Sequence, residues 1–132
     1  MEKISEKLPE SQEDYLKAIY LISKRNHGGW VSNSEIAELL NVKPSSVTNM
    51  LYKLADLGLI DWKPRKSMRL TPKGKQIGKK ILKRYKVLKD FFLNVLNLSE
   101  KDVSIEEICC KIEHHLNNEV SEALYNLNET LN

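Results

Sequence analysis

The segment CCKIEHHL, residues 109 to 116 in the last third of the chain, contains several residues able to bind a metal ion. Cys110, Glu113 and His114 are spaced i, i+3 and i+4, so on a helix their side chains share one face. A thiolate, a carboxylate and an imidazole that converge in this way supply three of the ligands that a first-row transition metal needs. The segment therefore predicts a metal site whose fourth ligand comes from elsewhere in the chain.

Other interpretations of these residues stay open. Cys109 is expected to be a small core side chain, and His115, about 100° further round the helix, is expected to face away from the ion. Cys110 could instead be a core residue or a redox-sensitive thiol in a regulator that ignores metal. A catalytic zinc ion with an open position is a further alternative. No general base stands beside an evident substrate cleft, however, so the protein is not expected to be an enzyme.

The elements that must position these side chains are mostly helices, because apolar residues recur at helical spacing along much of the chain. Capping-box patterns mark three helix starts, at Ser11 with Asp14, Ser32 with Glu35 and Ser104 with Glu107. Thr71 is predicted to cap a fourth helix. Helices are predicted from Ser11 to before Gly28, from Ser32 for about two turns, from Pro44 to about Leu57, from Pro72 to about Leu96, from Ser104 through the metal motif and from about Val120 to Leu131, with short strands at Leu59–Lys63 and Ser67–Leu70.

This order of helix, short helix, tight turn, helix and hairpin is that of a winged helix-turn-helix. The predicted fold is mainly α, with an N-terminal winged helix-turn-helix and a two-stranded wing, followed by a helical region. The third helix carries small and amide side chains on its outer face, which suit a DNA major groove, and the basic hairpin tip suits phosphates or the minor groove. An ordinary polar surface is the plain alternative. The residues predicted to bind DNA are Ser34, Lys43, Pro44, Ser45, Ser46, Thr48, Asn49, Lys53, Arg65, Lys66 and Arg69.

The charge of the chain is divided unevenly. Between Lys63 and Lys89 there are twelve lysines and arginines and no acidic residue, whereas the rest of the chain has nine basic residues and all eighteen acids. Such a block usually meets a polyanion, so double-stranded DNA is the predicted partner. A solvated lysine face is one alternative, and an adaptor that binds an acidic protein through the same face is another.

Neither a membrane nor a secreted location is indicated. No apolar run reaches the roughly 18 residues needed to cross a bilayer, and the charged start MEKISEKLPESQED lacks the apolar core of a signal peptide. The only two cysteines are adjacent in sequence, which does not suit disulfide geometry. We therefore expect a cytoplasmic protein without a membrane partner or a small-molecule substrate.

Several stretches taken together resemble one family. PSSVTNMLYKLADLGLI, a basic hairpin, LTPKGKQIGKKILKRYKVLKDFF and IEHHL are similar to the metal-dependent repressors typified by the diphtheria toxin repressor and the manganese transport regulator. The resemblance extends from Ser11 to about Leu116. It implies a homodimer that binds a divalent metal and then a palindromic operator, usually to repress metal-uptake genes. It also implies a DNA-binding domain at 1–71, a metal-binding and dimerisation domain at 72–132, no SH3-like third domain, and a fourth metal ligand at Asp14.

Some positions depart from that family. Its second metal site uses side chains at positions that are here Tyr85, Lys89 and Glu106, so that site is expected to be absent or rebuilt. Lys17 replaces a glutamate of the manganese-type members, and its ammonium argues against a two-manganese cluster. Cys110 matches the iron-type members, and a thiolate favours Fe²⁺ over Mn²⁺. Fe²⁺ is therefore expected ahead of Mn²⁺, with Zn²⁺ or Co²⁺ able to bind in vitro; a metal-independent or thiol-sensing regulator is the alternative.

Overall fold

The computed structural model describes residues 8–101 and 104–131. They form two compact units, one that runs to Lys79 and one that starts at Lys80. Most of these residues are helical, and one two-stranded antiparallel sheet accompanies the helices. The predicted mainly-α fold with a two-stranded wing is thereby confirmed. Within the described ranges, no helix is both long enough and apolar enough to cross a membrane.

The first unit is built from helices and a small wing. Its elements are α1 (Glu10–Arg25), a 3₁₀ turn (His27–Gly29), α2 (Asn33–Leu40), α3 (Pro44–Asp56), β1 (Ile60–Asp61), β2 (Arg69–Leu70) and the start of α4 (Pro72–Asp90). Both strands are shorter than predicted, because the chain already turns at Lys63, whose carbonyl accepts a hydrogen bond from the Lys66 N–H at 3.0 Å. Just before α2, Val31 forms an isolated antiparallel bridge with Met68.

The start of α1 differs from the prediction. Pro9 occupies the N-cap position with extended backbone (ψ 151°), and the helix begins at Glu10. Ser11 and Asp14 therefore lie inside the helix, and the capping box predicted for them is absent. Proline sets the local φ and blocks helical geometry in the residue before it, which explains why the helix begins there.

The start of α2 follows the prediction. The Ser32 hydroxyl accepts a hydrogen bond from the Glu35 N–H at 3.2 Å, and Glu35 Oε1 accepts one from the Ser32 N–H at 2.9 Å. Asn26 adds a bond to Glu35 Oε2 at 2.9 Å. These bonds, with that of Asn26 the strongest influence, hold the pKa of Glu35 below its ordinary value. The capping box thus fixes the entry to the helix-turn-helix.

The predicted helical stripes meet in the core of the first unit. Leu39 and Leu57 do not join it: they are 44% and 43% exposed, and Leu57 follows the end of α3 at Asp56. Gly74 lets α4 pass close to the wing, since a Cβ there would lie 2.0 Å from the Leu59 carbonyl oxygen. The Thr71 hydroxyl accepts a bond from the Gly74 N–H at 3.1 Å, which confirms Thr71 as a cap. Core side chains come from Leu16, Ile19, Ile22, Ile36, Val47, Leu51, Leu54, Leu59, Met68 and Leu70.

The second unit is helical throughout its regular elements. It contains the rest of α4, a π-helical turn (Phe91–Val95), α5 (Ile105–Ile112), a 3₁₀ turn (Glu113–His115) and α6 (Asn118–Leu131). Ser104 holds the predicted cap position of α5 but makes no side-chain capping bond. Cys109 is fully buried against Leu88 and Ile105, which confirms its expected place in the core.

The inward face of α6 carries two buried polar residues, and Leu124 packs partly buried against the core of the unit. Ser121 and Asn128 are the buried residues of α6, and Asn128 Nδ2 donates to the Val87 carbonyl at 3.1 Å. Leu127 and Leu131 are 41% and 59% exposed. The Asn128 bond ties α6 to α4, while these two leucines stay on the surface of the single chain.

Candidate metal centre and nucleic-acid interface

The predicted metal trio lies at the end of α5, where the helix type differs from the prediction. The α-helix ends at Ile112, and Glu113 and His114 belong to the following 3₁₀ turn. Residues three apart still align in a 3₁₀ turn, so Cys110 and Glu113 keep a common side. Cys110 is half-buried, Glu113 is fully buried, and His114 is 2% exposed. His115 is exposed, as its position predicted.

The structure brings Glu113 and His114 into direct contact. His114 Nδ1 lies 3.1 Å from Glu113 Oε1. Arg84 approaches the same carboxylate, with Nη2 3.6 Å from Oε1, and its Nε–H donates to the Glu113 backbone carbonyl at 3.2 Å. A carboxylate oxygen and an imidazole nitrogen this close and this buried form a donor pair suited to a divalent transition metal.

The remaining predicted ligand, Asp14, lies on α1 in the first unit, next to a second acidic residue. Asp14 is half-buried, whereas its neighbour Glu13 is 6% exposed. Lys17, one turn after Glu13, is also buried at 8% exposure. Glu13 was not among the predicted ligands, because the family resemblance implied its neighbour Asp14. Its burial is the signal that the structure adds.

The positions of the second family site are occupied by a different cluster. The Tyr85 hydroxyl donates to Glu106 Oε2 at 3.3 Å, and Lys89 Nζ lies 5.9 Å from the Tyr85 ring centre and 3.9 Å from Glu100 Oε2. Burial raises the pKa of Tyr85, and the nearby Glu106 and Cys110 raise it further. A protonated phenol and an ammonium are poor ligands for a cation; that the site is absent or rebuilt stays a prediction.

The outer face of α3 presents most of the predicted DNA-binding residues to solvent. Ser45, Ser46, Asn49 and Lys53 are exposed, and Lys43 and Pro44 form the start of the helix. Thr48 is different. Its hydroxyl donates to the Pro44 carbonyl at 3.1 Å and accepts a bond from Asn33 Nδ2 at 3.0 Å. Thr48 therefore helps to join α2 to α3 as well as lining the outer surface.

A cleft of about 740 Å³ lies between α3 and the wing. Tyr52 and Trp62 form its aromatic side, with ring centres 4.8 Å apart in an edge-to-face arrangement. Arg65, at the wing tip with a left-handed φ of 67°, and Lys66 supply the basic side. Neither aromatic was among the predicted DNA-binding residues, although Tyr52 was expected on the outer face of the third helix and Trp62 in the first strand. The full lining is Ser32, Asn33, Ser34, Pro44, Thr48, Tyr52, Trp62, Pro64, Arg65, Lys66 and Ser67.

Arg69, the last predicted DNA-binding residue, lies on β2 with its side chain exposed. Its guanidinium lies 4.5 Å from the centre of the Trp30 ring. Such a cation–π contact orients the side chain while its charge stays at the surface. Arg69 is thus held in place before any DNA is present.

These features define a class of protein: a winged-helix DNA-binding unit and a helical unit with a buried carboxylate–imidazole pair. Residues 7–68 match the family described as iron dependent repressor, N-terminal DNA binding domain, and residues 71–132 match iron dependent repressor, metal binding and dimerisation domain. The chain belongs to the iron-dependent repressor family. It is a metal-dependent DNA-binding transcriptional repressor and not an enzyme, and the predicted resemblance is confirmed.

Similar proteins agree with this assignment. The chain is 44% identical over 117 residues to an uncharacterized HTH-type transcriptional regulator of Methanocaldococcus jannaschii, covering 89% of this chain and 91% of that protein. It is 37% identical over 108 residues to the HTH-type transcriptional regulator MntR of Bacillus subtilis, covering 80% and 71%. The manganese regulator SloR (TM-score 0.74, 29% identity) and ScaR with bound Zn²⁺ (0.71, 26%) share the fold over 89% of this chain, which spans about half of those structures, 53% of each.

Proposed function

We propose that this protein is a homodimeric, iron-responsive repressor of metal-uptake genes in the cytoplasm. When loaded with Fe²⁺, or less favourably Mn²⁺, it binds a palindromic operator. The buried Glu113–His114 pair, with its 3.1 Å contact, carries the metal part of the proposal. The exposed polar face of α3 beside a basic wing carries the DNA part. We keep 1–71 as the DNA-binding domain and 72–132 as the metal-binding and dimerisation domain.

The proposed ligands are Asp14, Cys110, Glu113 and His114. The donor set of carboxylates, imidazole and thiolate fits a divalent transition metal, and the thiolate supports Fe²⁺ over Mn²⁺. Glu13 is a second candidate for the α1 ligand, because its carboxylate is more deeply buried than that of Asp14. Asp14→Asn and Glu13→Gln, compared for metal affinity, separate the two possibilities.

The proposed mechanism is a shift between conformations. Because α1 belongs to the DNA-binding unit and α5 to the other, ligands drawn from both make metal affinity depend on their arrangement. Metal can favour the DNA-binding state only if it binds that state more tightly. The spacing of half-sites on DNA, roughly 34 Å per turn, then makes operator affinity sensitive to which arrangement the dimer holds.

The test is operator binding with and without metal. The operator would first be selected from random double-stranded DNA with Co²⁺-loaded protein. Anaerobic fluorescence anisotropy would then compare metal-free protein with protein loaded with Fe²⁺, Mn²⁺, Co²⁺ or Zn²⁺ at fixed ionic strength. We expect tighter binding by about 10-fold or more when the protein is loaded, within the range of typical coupling energies. Equal affinity in both states would exclude the metal switch.

Cys110→Ser distinguishes the thiol-sensing alternative. If Cys110 is a ligand, the variant should need more metal for the same DNA binding, and its preference should move towards Mn²⁺. Unchanged metal dependence, together with a loss of any response to oxidant, would favour a thiol sensor. Cys109→Ser is the control for adding a hydroxyl at the neighbouring position, since Cys109 lies in the core.

We further propose one metal ion per protomer. The cluster of Tyr85, Glu106 and Lys89 supports this proposal, because an ammonium near the position of the second family site repels a cation. Native mass spectrometry of the dimer with excess Mn²⁺ should find two ions. Four tightly bound ions in the dimer would contradict the proposal.

A further inference from the structure

Arg84 contacts the candidate ligand Glu113 at two points. We propose that Arg84 is a positioning residue: its guanidinium stands in for the metal beside Glu113 in the metal-free protein and thereby sets the metal affinity. This inference rests on the proposed function, because it assumes that Glu113 is a ligand. The inference concerns the interaction that orients Glu113 in the metal-free protein.

Burial is the first argument. Glu113 is fully buried and the Arg84 side chain is only 14% exposed. An ionised carboxylate inside a protein is costly unless a positive charge or hydrogen bonds compensate it. Arg84 supplies a permanent positive charge at this place, since a guanidinium is not deprotonated in proteins. The metal-free state therefore has a built-in counter-charge.

The unequal strength of the two contacts is the second argument. The Arg84 Nε–H bond to the Glu113 carbonyl, at 3.2 Å, holds the arginine to the backbone of the turn. The 3.6 Å approach of Nη2 to Oε1 is longer than a good charge-assisted bond. The backbone bond can persist while the carboxylate turns towards an ion. Arg84 can thus stay in place in both states.

Competition follows from this geometry. A cation that binds Glu113 must displace the Arg84 guanidinium from the carboxylate. The bound cation is then repelled by the positive charge of Arg84 nearby. Charges a few ångströms apart commonly change a binding or protonation equilibrium by about ten-fold or more. Removing the guanidinium should therefore destabilise the metal-free protein and, at the same time, tighten metal binding. Removing a purely structural residue would instead lower both the stability of the metal-free protein and the metal affinity.

Lys83 provides a matched control. It is adjacent to Arg84 and carries the same charge, but its side chain is 52% exposed and pairs with Glu122 at 3.2 Å on the surface. Lys83→Gln removes one positive charge from the same turn of α4 without touching Glu113. The comparison isolates the effect of the guanidinium contact from that of net charge.

The experiment measures two quantities for wild type, Arg84→Gln, Arg84→Lys and Lys83→Gln. One is the Kd for Co²⁺, followed anaerobically by the visible absorption of the bound ion; the other is the melting temperature of the metal-free protein. For Arg84→Gln we expect a Kd about ten-fold tighter and a melting temperature lower by about 5 °C. Arg84→Lys should lie between Arg84→Gln and wild type in both the Kd for Co²⁺ and the melting temperature. Lys83→Gln should match wild type within about two-fold.

Each outcome decides something. If Arg84→Gln weakens Co²⁺ binding or leaves it unchanged, the role of Arg84 is wrong even though the proposed function stands. If Arg84→Gln does not fold, Arg84→Lys answers the question, since tighter Co²⁺ binding supports the role and unchanged or weaker binding overturns it. If wild type binds no Co²⁺, or Glu113→Gln binds it as tightly as wild type does, the proposed ligand set fails and the inference falls with it.

Discussion

The two units of the chain place their polar residues differently, although both bury charged side chains, Glu13 and Lys17 in the first unit and Glu113 in the second. The first unit has a closed apolar core and presents Ser45 and Asn49 on its surface. The second unit buries Glu113 and His114 and leaves Leu127 and Leu131 exposed. A unit with outward polar groups can recognise a partner as it stands. For the second unit we expect an ion beside the buried pair and another protein surface over the exposed leucines, and the variants below test both expectations.

The largest effect should come from the buried charges. Glu113→Gln and His114→Ala remove proposed ligands, and each should reduce metal affinity by about 100-fold, with the metal-dependent part of DNA binding lost. Calorimetric metal titration and anisotropy would measure both. His115→Ala is the control, since His115 is exposed in the same turn. Equal losses from His114→Ala and His115→Ala would contradict the assignment of the buried pair.

A smaller effect is expected from the exposed leucines. Leu127→Asp puts a charge on the apolar face of α6 and should weaken a dimer formed through that face by about 30-fold or more, as burying a charge is costly. Sedimentation equilibrium would report the dissociation constant. Leu21→Asp, at a residue of the first unit with similar exposure (40%), should leave it unchanged. A dimer insensitive to Leu127→Asp would show that another surface joins the protomers.

On the first unit, the wing provides a graded test. Lys66→Ala should lower affinity for any DNA sequence by about ten-fold at low salt and reduce the salt dependence by about one charge. Lys111→Ala is the comparison, because Lys111 is exposed on α5 and pairs with Glu107 at 3.5 Å. If Lys111→Ala has the larger effect, the basic wing is not the surface that meets the phosphates.

The smallest effect concerns stability alone. Glu35→Ala removes the capping box of α2 and should lower the free energy of unfolding by about 1 kcal/mol at pH 7. Because the folded pKa of Glu35 is lowered from 4.5, this stabilisation is present above pH 4.5 and is lost as the pH falls through the lower folded value. Denaturant unfolding at pH 7 and below pH 4 should therefore show the difference shrinking in acid. A difference that grows in acid would be inconsistent with this account.

The contrast between units also explains what the sequence could predict. Helical periodicity and the Ser32–Glu35 box are local signals, and the elements of the first unit followed from them. The predicted capping box at Ser11 failed because Pro9 starts the helix earlier. The spacing of two possible capping residues does not show at which of two neighbouring positions the helix begins.

The second unit was harder to predict for a different reason. Spacing identified Glu113 and His114, but it did not predict that the helix tightens into a 3₁₀ turn there or that Arg84 joins the carboxylate from α4. The polar inward face of α6 was not predicted, because it depends on the Asn128 bond to the Val87 carbonyl, a contact between residues far apart in sequence. Apolar periodicity identifies the apolar face of a helix, but it does not identify the surface against which that face packs.

Gly74 and Gly58 would give different signatures in a library that samples every amino acid at each position. At Gly74 the obstacle is space, since even a methyl group meets the Leu59 carbonyl at 2.0 Å, so alanine should be excluded as firmly as tryptophan. At Gly58 there is open space but a φ of 74°, so asparagine should be tolerated and valine rejected. At Gly74, where α4 meets the wing, almost no substitution should therefore be tolerated.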